Sequence, residues 1–438
     1  MKHPSISNRP FFILSLLLIL LTGMGGLWLS QALADESNSQ GVSGTIAYIA
    51  DGNEIRMVEA DGSSDRSVWV VPDPVNDAIT GLSWKPDRTG FAFTSTQETE
   101  CSLRRADLYS INNDGTALKK ITDGPLCSEL ASYPQGTVTV QVQNFTPGVN
   151  VVFVYVQGAP SAKQVNISPG TAVNVTFTDV ADFGSGFQQF AIASAGIQSW
   201  YNPLAKADVV ANSTVDAGEV ILSNAYKIEE WAVGSPSWRR DGATIGYTVG
   251  GGIGMFQIDP NPGIGARGDE IVVGGSGRPA GAIAFSPVSN EILFYEDPYI
   301  YRATPGQAGE PEALVEVTAI FGGLDWYPDG SGFVFSEFST FLEYGDLYEY
   351  ILATNSLTPL TANAGEYAYH PTVSPDGQYI LYSHYLPGND SATLRIRSRD
   401  GSQDWALGVN GELAAWSETA VSPPEESSVF IYMPFLNR

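Results

Sequence analysis

The sequence predicts an all-β protein: a six-bladed β-propeller closed by its N- and C-terminal strands, with a small β-sandwich inserted between two blades. The first observation is a hairpin motif, aromatic-x-Pro-Asp-Gly followed by an apolar strand, which recurs six times in intact or degenerate form. The second is its spacing, because four of the five successive gaps of 154, 47, 41, 47 and 43 residues match propeller blades. The equivalent positions are Trp84, Trp238, Phe285, Trp326, Val373 and Trp416.

Each repeat is predicted to contain four short strands. In the copy at 326–336, Pro and Asp suit the middle of a tight turn, and Gly330 supplies the permissive φ that follows it. A third and a fourth strand come next, as in DLYEYI from Asp346 and LTPLT from Leu357. The turn therefore explains the conspicuous aspartates of the motif without any catalytic role: Asp87, Asp241, Asp329 and Asp376.

The chain begins out of phase with this repeat. GTIAYIA from Gly44 matches the second strand of a unit, and two further strands follow it without a first strand before them. The missing strand is LAAWS from Leu413, near the C-terminus. Pairing these segments would close the ring and remove free sheet edges.

These hairpins resemble the PD40 (WD40-like) repeats of the TolB-like six-bladed propellers, whose hallmark is a WSPDG hairpin followed by an apolar strand. The resemblance covers the repeat regions and implies a fold rather than an activity. Proteins called TolB also carry a separate α/β domain before the propeller, for which this chain has no room. The resemblance therefore does not imply a role in the Tol system.

The long gap contains a segment of different composition, at 131–222. Charged residues are scarce there, and strands such as TVTVQVQNF alternate polar and apolar residues, which predicts an inserted β-sandwich. The alternative is two degenerate blades, making eight, but the hairpin motif does not occur in the segment. The predicted organisation is a signal peptide at 1–34, the propeller at 41–130 and 223–417, the insertion at 131–222, and a linker with an apolar tail at 418–438.

The sequences of both chain ends indicate a location in the cell envelope or outside the cell. Lys2 and Arg9 precede an apolar run from Phe11 to Leu21, and Ala32, Leu33 and Ala34 form a small-residue cleavage site, as in a secretory signal peptide. The alternative is an uncleaved membrane anchor. Either way we expect the propeller in the periplasm, at the cell surface or in the medium. The apolar tail at 429–438 is either a docked strand or a sorting tag similar to those of some secreted bacterial proteins.

The net charge argues against one class of partner, and the cysteine content predicts a disulfide. A net charge of −26 repels phosphate backbones, which argues against nucleic acid as a partner. The bland explanation of this charge is solubility outside the cell. Cys101 and Cys127 are the two cysteines of an exported chain, so a disulfide between them is predicted rather than a metal site or a catalytic thiol.

The sequence offers few catalytic groups. It has no GxSxG motif, and beyond the signal segment its histidines are His370 and His384. His370 directly precedes Pro371 at the entry to a first strand, near the expected channel. With carboxylates from neighbouring blades it could hold a divalent cation, although a structural histidine is commoner. Otherwise no cofactor is predicted.

Other candidate ligand-binding residues are Trp200 and Tyr201 in the insertion, which could stack on a sugar ring or simply pack in a core. Acidic residues before or within first strands are candidates for glycoside chemistry: Asp77, Glu229, Glu230, Asp325 and Glu366. Two hypotheses follow. The first is a non-enzymatic scaffold that binds a protein or a polysaccharide. The second is a polysaccharide lyase or glycosidase, which would require at least three acidic or histidine side chains converging at the channel mouth.

Overall fold

The computed structural model describes residues 42–417. The exceptions are 104, 123, 185–188, 196–197, 224–226, 229–232, 250–251, 258–279, 306–309, 340–343, 363–365 and 390. The predicted signal peptide and the C-terminal segment 418–438 lie outside the described residues. Within the described part of the chain, no helix is long and apolar enough to cross a bilayer.

The described part of the chain is almost entirely β-structure, with one short 3-10 helix at Cys127–Ser132. The first two sheets of the described residues are built from β1 (Thr45–Ala50), β2 (Glu54–Glu59) and β3 (Arg66–Val70), and from β4 (Ile79–Trp84), β5 (Gly90–Ser95), β6 (Asp107–Asn112) and β7 (Lys119–Lys120). The next strands belong to the insertion: β8 (Gln135–Asn144), β9 (Val151–Val156), β10 (Lys163–Asn166), β11 (Thr171–Ala181), β12 (Gln189–Ala195), β13 (Gln198–Ala207), β14 (Thr214–Leu222) and β15 (Lys227–Ile228).

Four further sheets follow the insertion. The third and fourth are β16 (Val233–Trp238), β17 (Thr244–Val249) and β18 (Gly252–Gln257), then β19 (Ala280–Phe285), β20 (Ile292–Glu296), β21 (Tyr299–Ala303) and β22 (Glu312–Glu316). The fifth is β23 (Ile320–Trp326), β24 (Gly332–Ser339), β25 (Tyr344–Ile351) and β26 (Ser356–Pro359). The sixth is β27 (Tyr367–Val373), β28 (Tyr379–Tyr385), β29 (Thr393–Ser398) and β30 (Asp404–Asn410), and the last strand is β31 (Glu412–Ser417). One parallel pair, Gly345 with Tyr367, joins the fifth and sixth into an eight-stranded sheet.

These sheets have the arrangement of a β-propeller. Each is an antiparallel meander, and β31 pairs antiparallel with β1, so the last strand completes the first sheet. The first strands of the sheets contact one another in the order β31, β4, β16, β19, β23, β27 and back to β31. We call these six the inner strands. We call the side of the propeller on which they begin the entry face.

Apolar side chains between successive sheets hold the propeller together. One core lies between the first and second sheets and includes Ile49, Phe91 and Phe93, while the core between the fifth and sixth includes Val334 and Ile380. These side chains are essentially inaccessible to solvent. Burying one of this size stabilises the fold by about 1.5–3 kcal/mol. Because a blade's two faces are covered by its neighbours, no blade is stable alone.

The hairpin aspartates have the structural role that the sequence predicts. The Oδ1 atom of each accepts the N–H of the residue two positions later, at 2.9–3.0 Å, in the hairpins of Asp87, Asp241, Asp329 and Asp376. Gly330 and Gly377 follow in the left-handed region at φ +71°. In the degenerate copy Arg88 takes this place at φ +63°, where the conformation is less favourable than for glycine.

The insertion folds into two sheets, in the orders β10-β9-β12-β13-β15 and β11-β8-β14. Alternate valines from both sheets meet in one core, among them Val138, Val140 and Val154. This order differs from a blade, since β14 runs parallel to β8 rather than continuing a meander. The first sheet reaches β15, beyond the predicted end of the insertion at residue 222.

Candidate functional site

A cavity of about 340 Å³ lies where the six inner strands meet. Every inner strand contributes to its lining, so the site combines residues spread from Thr80 to Trp416. In each of the six repeats, the residue three positions before the motif position occupied by Trp84 and its equivalents lines this cavity. These six residues are Gly81, Ser235, Ala282, Gly323, His370 and Leu413.

The inner strands share a bulge at this level. The register with the second strand shifts between Gly234 and Ser237 in β16, for example, and between Tyr369 and Thr372 in β27. Inside these bulges Ser235 and His370 take left-handed φ values of +44° and +50°. A bulge bends the strand and redirects its side chains, which is a common device beside binding sites. The sequence motif does not reveal it.

Glycine and proline fit together between neighbouring inner strands. A Cβ on Gly81 would lie 2.5 Å from the Cδ of Pro236, and one on Gly323 would lie 2.6 Å from the Cδ of Pro371. Proline is tolerated there because the inner strand is an edge whose N–H groups are not all needed for pairing. The close approach keeps the strands tight around the cavity.

Asp325, an acidic candidate from the sequence, joins two inner strands. Its Oδ2 atom accepts hydrogen bonds from Thr372 Oγ1 at 2.8 Å and from the N–H of Val373 at 2.9 Å. Its Oδ1 atom accepts the N–H of Trp326 at 2.9 Å. Burial raises the pKa of this carboxyl from 3.8 to about 6, while the hydrogen bonds act in the opposite direction. The group is thus used to hold β27 against β23.

The motif tryptophans make a second kind of link between strands. Trp84 Nε1 donates to the carbonyl oxygen of Ala415 at 2.9 Å, and Trp326 Nε1 donates to that of Ala284 at 3.1 Å. Each indole therefore reaches the inner strand of the preceding sheet. The link is made in these two copies, whereas the buried Nε1 of Trp238 has no hydrogen-bond partner among the described residues.

His370, the weak metal candidate, lines the cavity next to these strands. Burial of its ring lowers its pKa to about 4, so the imidazole is neutral at pH 7. Within the described residues, the one group of three potential ligands close enough to share a metal is Glu98, Cys101 and Cys127, and His370 is not part of it. Both sulfurs of that group are joined in a disulfide, which removes them as ligands.

Most side chains that line the cavity are apolar or carry a hydroxyl group. Asp325 carries the carboxyl of the described lining and His370 the imidazole, and the hydroxyl groups of Thr80, Ser235 and Thr372 bond Thr94, the carbonyl oxygen of Gly281 and Asp325 within the fold. Glycoside hydrolysis in its usual form needs two carboxyl groups on either side of the bond. The described lining therefore suits hydrogen bonding to a ligand better than acid–base chemistry.

The remaining sequence candidates lie away from this cavity or outside the description. Trp200 and Tyr201 fall within β13, where Trp200 pairs with Ala193, but their side chains are outside the described part. Glu229 and Glu230 also lie outside it. The two others are on the entry face: Glu366 bonds His384 Nε2 at 3.0 Å, and burial raises the pKa of Asp77.

The disulfide lies where the insertion meets the propeller. Cys101 and Cys127 are bonded, and Glu98 Oε1 accepts the N–H of Cys127 at 3.0 Å. Beside them Leu103 packs with Phe190 and Ile192 of the insertion. The bridge therefore ties the loop after β5 to the short 3-10 helix that leads into the insertion.

Comparisons with known proteins give similarities of fold. No protein-family model matches the sequence, and no curated protein matches it. Among solved structures, TolB from Acinetobacter baumannii is 15% identical over 86% of this chain and 67% of its own, with a TM-score of 0.47. A TolB structure from Agrobacterium tumefaciens is 19% identical over 41% and 63%, with a TM-score of 0.32. AztD from Citrobacter koseri is 10% identical over 86% and 100%, with a TM-score of 0.40. The chain thus spans about two thirds of the length of the two TolB structures or slightly less.

Proposed function

We propose that this protein is a secreted, non-enzymatic β-propeller scaffold that binds a protein or polysaccharide partner at the cell envelope. The observation that supports this most is the use of Asp325, the carboxyl of the described cavity lining, as an acceptor for three hydrogen bonds within the fold. Apart from the imidazole of His370, the other side chains on the cavity surface are apolar or carry hydroxyl groups. Ligand pockets commonly combine such a lining with a few polar groups that orient the ligand.

We further propose that the insertion is a separate β-sandwich domain that adds a second contact surface. The insertion follows β7, which is the fourth and outermost strand of the second sheet, and precedes β16, which is an inner strand. In an antiparallel four-stranded blade the outer strand ends on the side where the next inner strand begins. The insertion is therefore joined to the propeller at the entry face, where a partner could contact it.

Export supports the envelope as the place of action. The predicted signal peptide would direct the chain out of the cytoplasm. The disulfide between Cys101 and Cys127 is of the kind that persists in oxidising compartments. The alternative function, a polysaccharide lyase or glycosidase, would need acidic groups beyond Asp325 at the cavity.

The test is retention of ligands on the immobilised mature protein, using a panel of neutral glycans and an envelope extract of the source organism. Thr80 is exposed at the cavity, so Thr80→Trp should fill part of it and reduce retention. Thr358→Trp, on the exposed outer strand β26, is the matched control and should not. Absence of retention by the unmodified protein contradicts the proposal. Formation of new reducing ends from a polysaccharide would favour the enzymatic alternative.

A further inference from the structure

A carboxylate lies beside the disulfide at the junction of the propeller and the insertion. Glu98, Cys101 and Cys127 each offer one ligand atom, a carboxylate oxygen or a sulfur, and these atoms all lie within 4.8 Å of one another. Both sulfurs are also close to the backbone oxygen of Glu98, at 3.6 Å for Cys101 and 3.7 Å for Cys127. One glutamate and two sulfurs therefore share a small volume.

The local backbone holds Glu98 in this position. Its carbonyl oxygen accepts the N–H of Cys101 at 3.2 Å, which closes a tight turn after β5. Glu98 makes this turn at a left-handed φ of +61°, which is uncommon for a residue other than glycine. Cys127 is the first residue of the 3-10 helix, and its N–H donates to Glu98 Oε1 at 3.0 Å. The carboxylate is thus fixed against both cysteines.

The second carboxylate oxygen of Glu98 is available for a ligand. Among the described residues, the buried Oε2 atom has no hydrogen-bond partner. Burial raises the pKa of this carboxyl, and the charges of Asp107 and Glu100 act in the same direction. Lys120 acts in the opposite direction, but its ammonium is already paired with Asp107 at 3.1 Å. A divalent cation at Oε2 would give this oxygen a partner and offset the local negative charge.

The donor atoms suit zinc once the sulfurs are free. In the oxidised protein the sulfurs bond each other and bind no metal. Two thiolates and a carboxylate are ligands that Zn²⁺ accepts in tetrahedral geometry, with water in the fourth position. Zinc–sulfur bonds of about 2.3 Å in that geometry put two sulfurs about 3.8 Å apart. The Cα atoms of Cys101 and Cys127 are 5.9 Å apart, so rotation of the side chains can provide this separation.

We propose that Glu98, Cys101 and Cys127 form a Zn²⁺ site when the disulfide is reduced. Two electrons from a dithiol, which itself becomes a disulfide, break the S–S bond, and the two protons of the dithiol pass to the sulfurs. Zn²⁺ then replaces both thiol protons, which pass to solvent, and Glu98 Oε2 forms the third bond. Cys127 is partly exposed, which gives a reductant access to the bridge. The loop after β5 and the 3-10 helix are thereby joined in either redox state, by a disulfide or by zinc.

The test is titration of the mature protein with Co²⁺, a spectroscopic substitute for Zn²⁺. The protein is first reduced with a water-soluble phosphine, which is then removed in the absence of oxygen. We expect a thiolate-to-cobalt charge-transfer band that saturates at one Co²⁺ per chain and disappears when Zn²⁺ is added, because tetrahedral thiolate sites favour zinc. The oxidised protein should give no band.

Two glutamate variants separate a ligand from a nearby charge. Glu98→Gln retains an acceptor for the N–H of Cys127 but loses the charged ligand, and should weaken Co²⁺ binding by at least about tenfold. Glu100→Gln is the matched control, since it removes the same charge from an exposed residue in the same turn. It should change the affinity by less than about threefold. Thermal unfolding of the oxidised variants monitors their fold.

A measurement on the unmodified protein is independent of these variants. Zn²⁺ should raise the melting temperature of the reduced protein and leave that of the oxidised protein unchanged. The double variant Cys101→Ser, Cys127→Ser should not respond to Zn²⁺. Absence of the charge-transfer band in the reduced protein would overturn the proposal. Equal weakening by Glu98→Gln and Glu100→Gln would also overturn it, because the carboxylate would then not be a ligand.

Discussion

Replacing Asp325 by asparagine should change how the stability of the propeller depends on pH. The carboxyl accepts hydrogen bonds from β27 and from its own strand, and burial raises its pKa from 3.8 to about 6. Because the folded state binds this proton more tightly than the unfolded state, its stabilising contribution is complete below pH 3.8 and is lost as the pH rises through about 6. An asparagine is neutral throughout and has no such dependence.

The magnitude follows from the shift. A change of about two pKa units corresponds to about 3 kcal/mol. Part of the residue's surface lies on the cavity, so this value is an upper limit. The quantity to measure is the stability difference, which is the free energy of unfolding of the unmodified protein minus that of Asp325→Asn. This difference should fall by up to about 3 kcal/mol between about pH 4 and pH 7. Taking the difference removes the contribution of the other carboxyl groups.

Urea unfolding followed by tryptophan fluorescence at a series of pH values measures this difference. Asp329→Asn is the control, because hydrogen bonds from Ser331 lower the pKa of that exposed turn carboxyl. The ionised carboxyl of Asp329 stabilises the fold, and this contribution is lost as the pH falls. The stability difference between the unmodified protein and Asp329→Asn should therefore rise with pH. If the difference for Asp325 is flat, or rises with pH, the three hydrogen bonds outweigh burial and our account of this carboxyl is wrong.

Two further sets of substitutions test the disulfide beside the insertion and the close packing of Gly323 at the cavity. Replacing Cys101 and Cys127 by serine should lower the free energy of unfolding by about 3 kcal/mol, from the entropy of a loop with a sequence separation of 26, and reducing agent should then have no effect on the variant. An unchanged urea midpoint would contradict this. Gly323→Ala should cost more than about 3 kcal/mol, because its Cβ would lie 2.6 Å from the Cδ of Pro371, whereas Gly388→Ala, also at positive φ but with nothing within 4 Å, should cost about 1 kcal/mol. Equal melting temperatures for the two glycine variants would show that crowding at the cavity has no effect.

Local chemistry explains why the propeller class could be predicted. The hairpin depends on contacts between residues two positions apart, such as Asp376 Oδ1 with the N–H of Gln378, and these are fixed by the sequence itself. Repetition of that local signal at blade spacing then predicts an all-β propeller, and this fold class is confirmed. The disulfide could also be predicted, since a chain with two cysteines offers each of them one possible partner.

Only part of the candidate site could be predicted from the sequence. The sequence placed His370 and Asp325 near the channel, and both line the cavity. It did not indicate that Asp325 accepts hydrogen bonds from residues 47 and 48 positions away, nor that Gly323 lies against Pro371. The hydrogen-bond partners of a side chain depend on which strand lies beside it, and strand neighbours are not encoded locally.

The sequence by itself determined the all-β propeller class and the turn role of the motif aspartates, because both arise from short-range backbone preferences repeated along the chain. Only the tertiary structure decided the composition of the cavity, because the cavity brings together residues from six separate strands. The contact between the rings of Phe338 and Tyr367 illustrates the reason, since it requires the parallel pairing of Gly345 on β25 with Tyr367 on β27. Such pairings depend on the packing of whole sheets and leave no periodic signal in the chain.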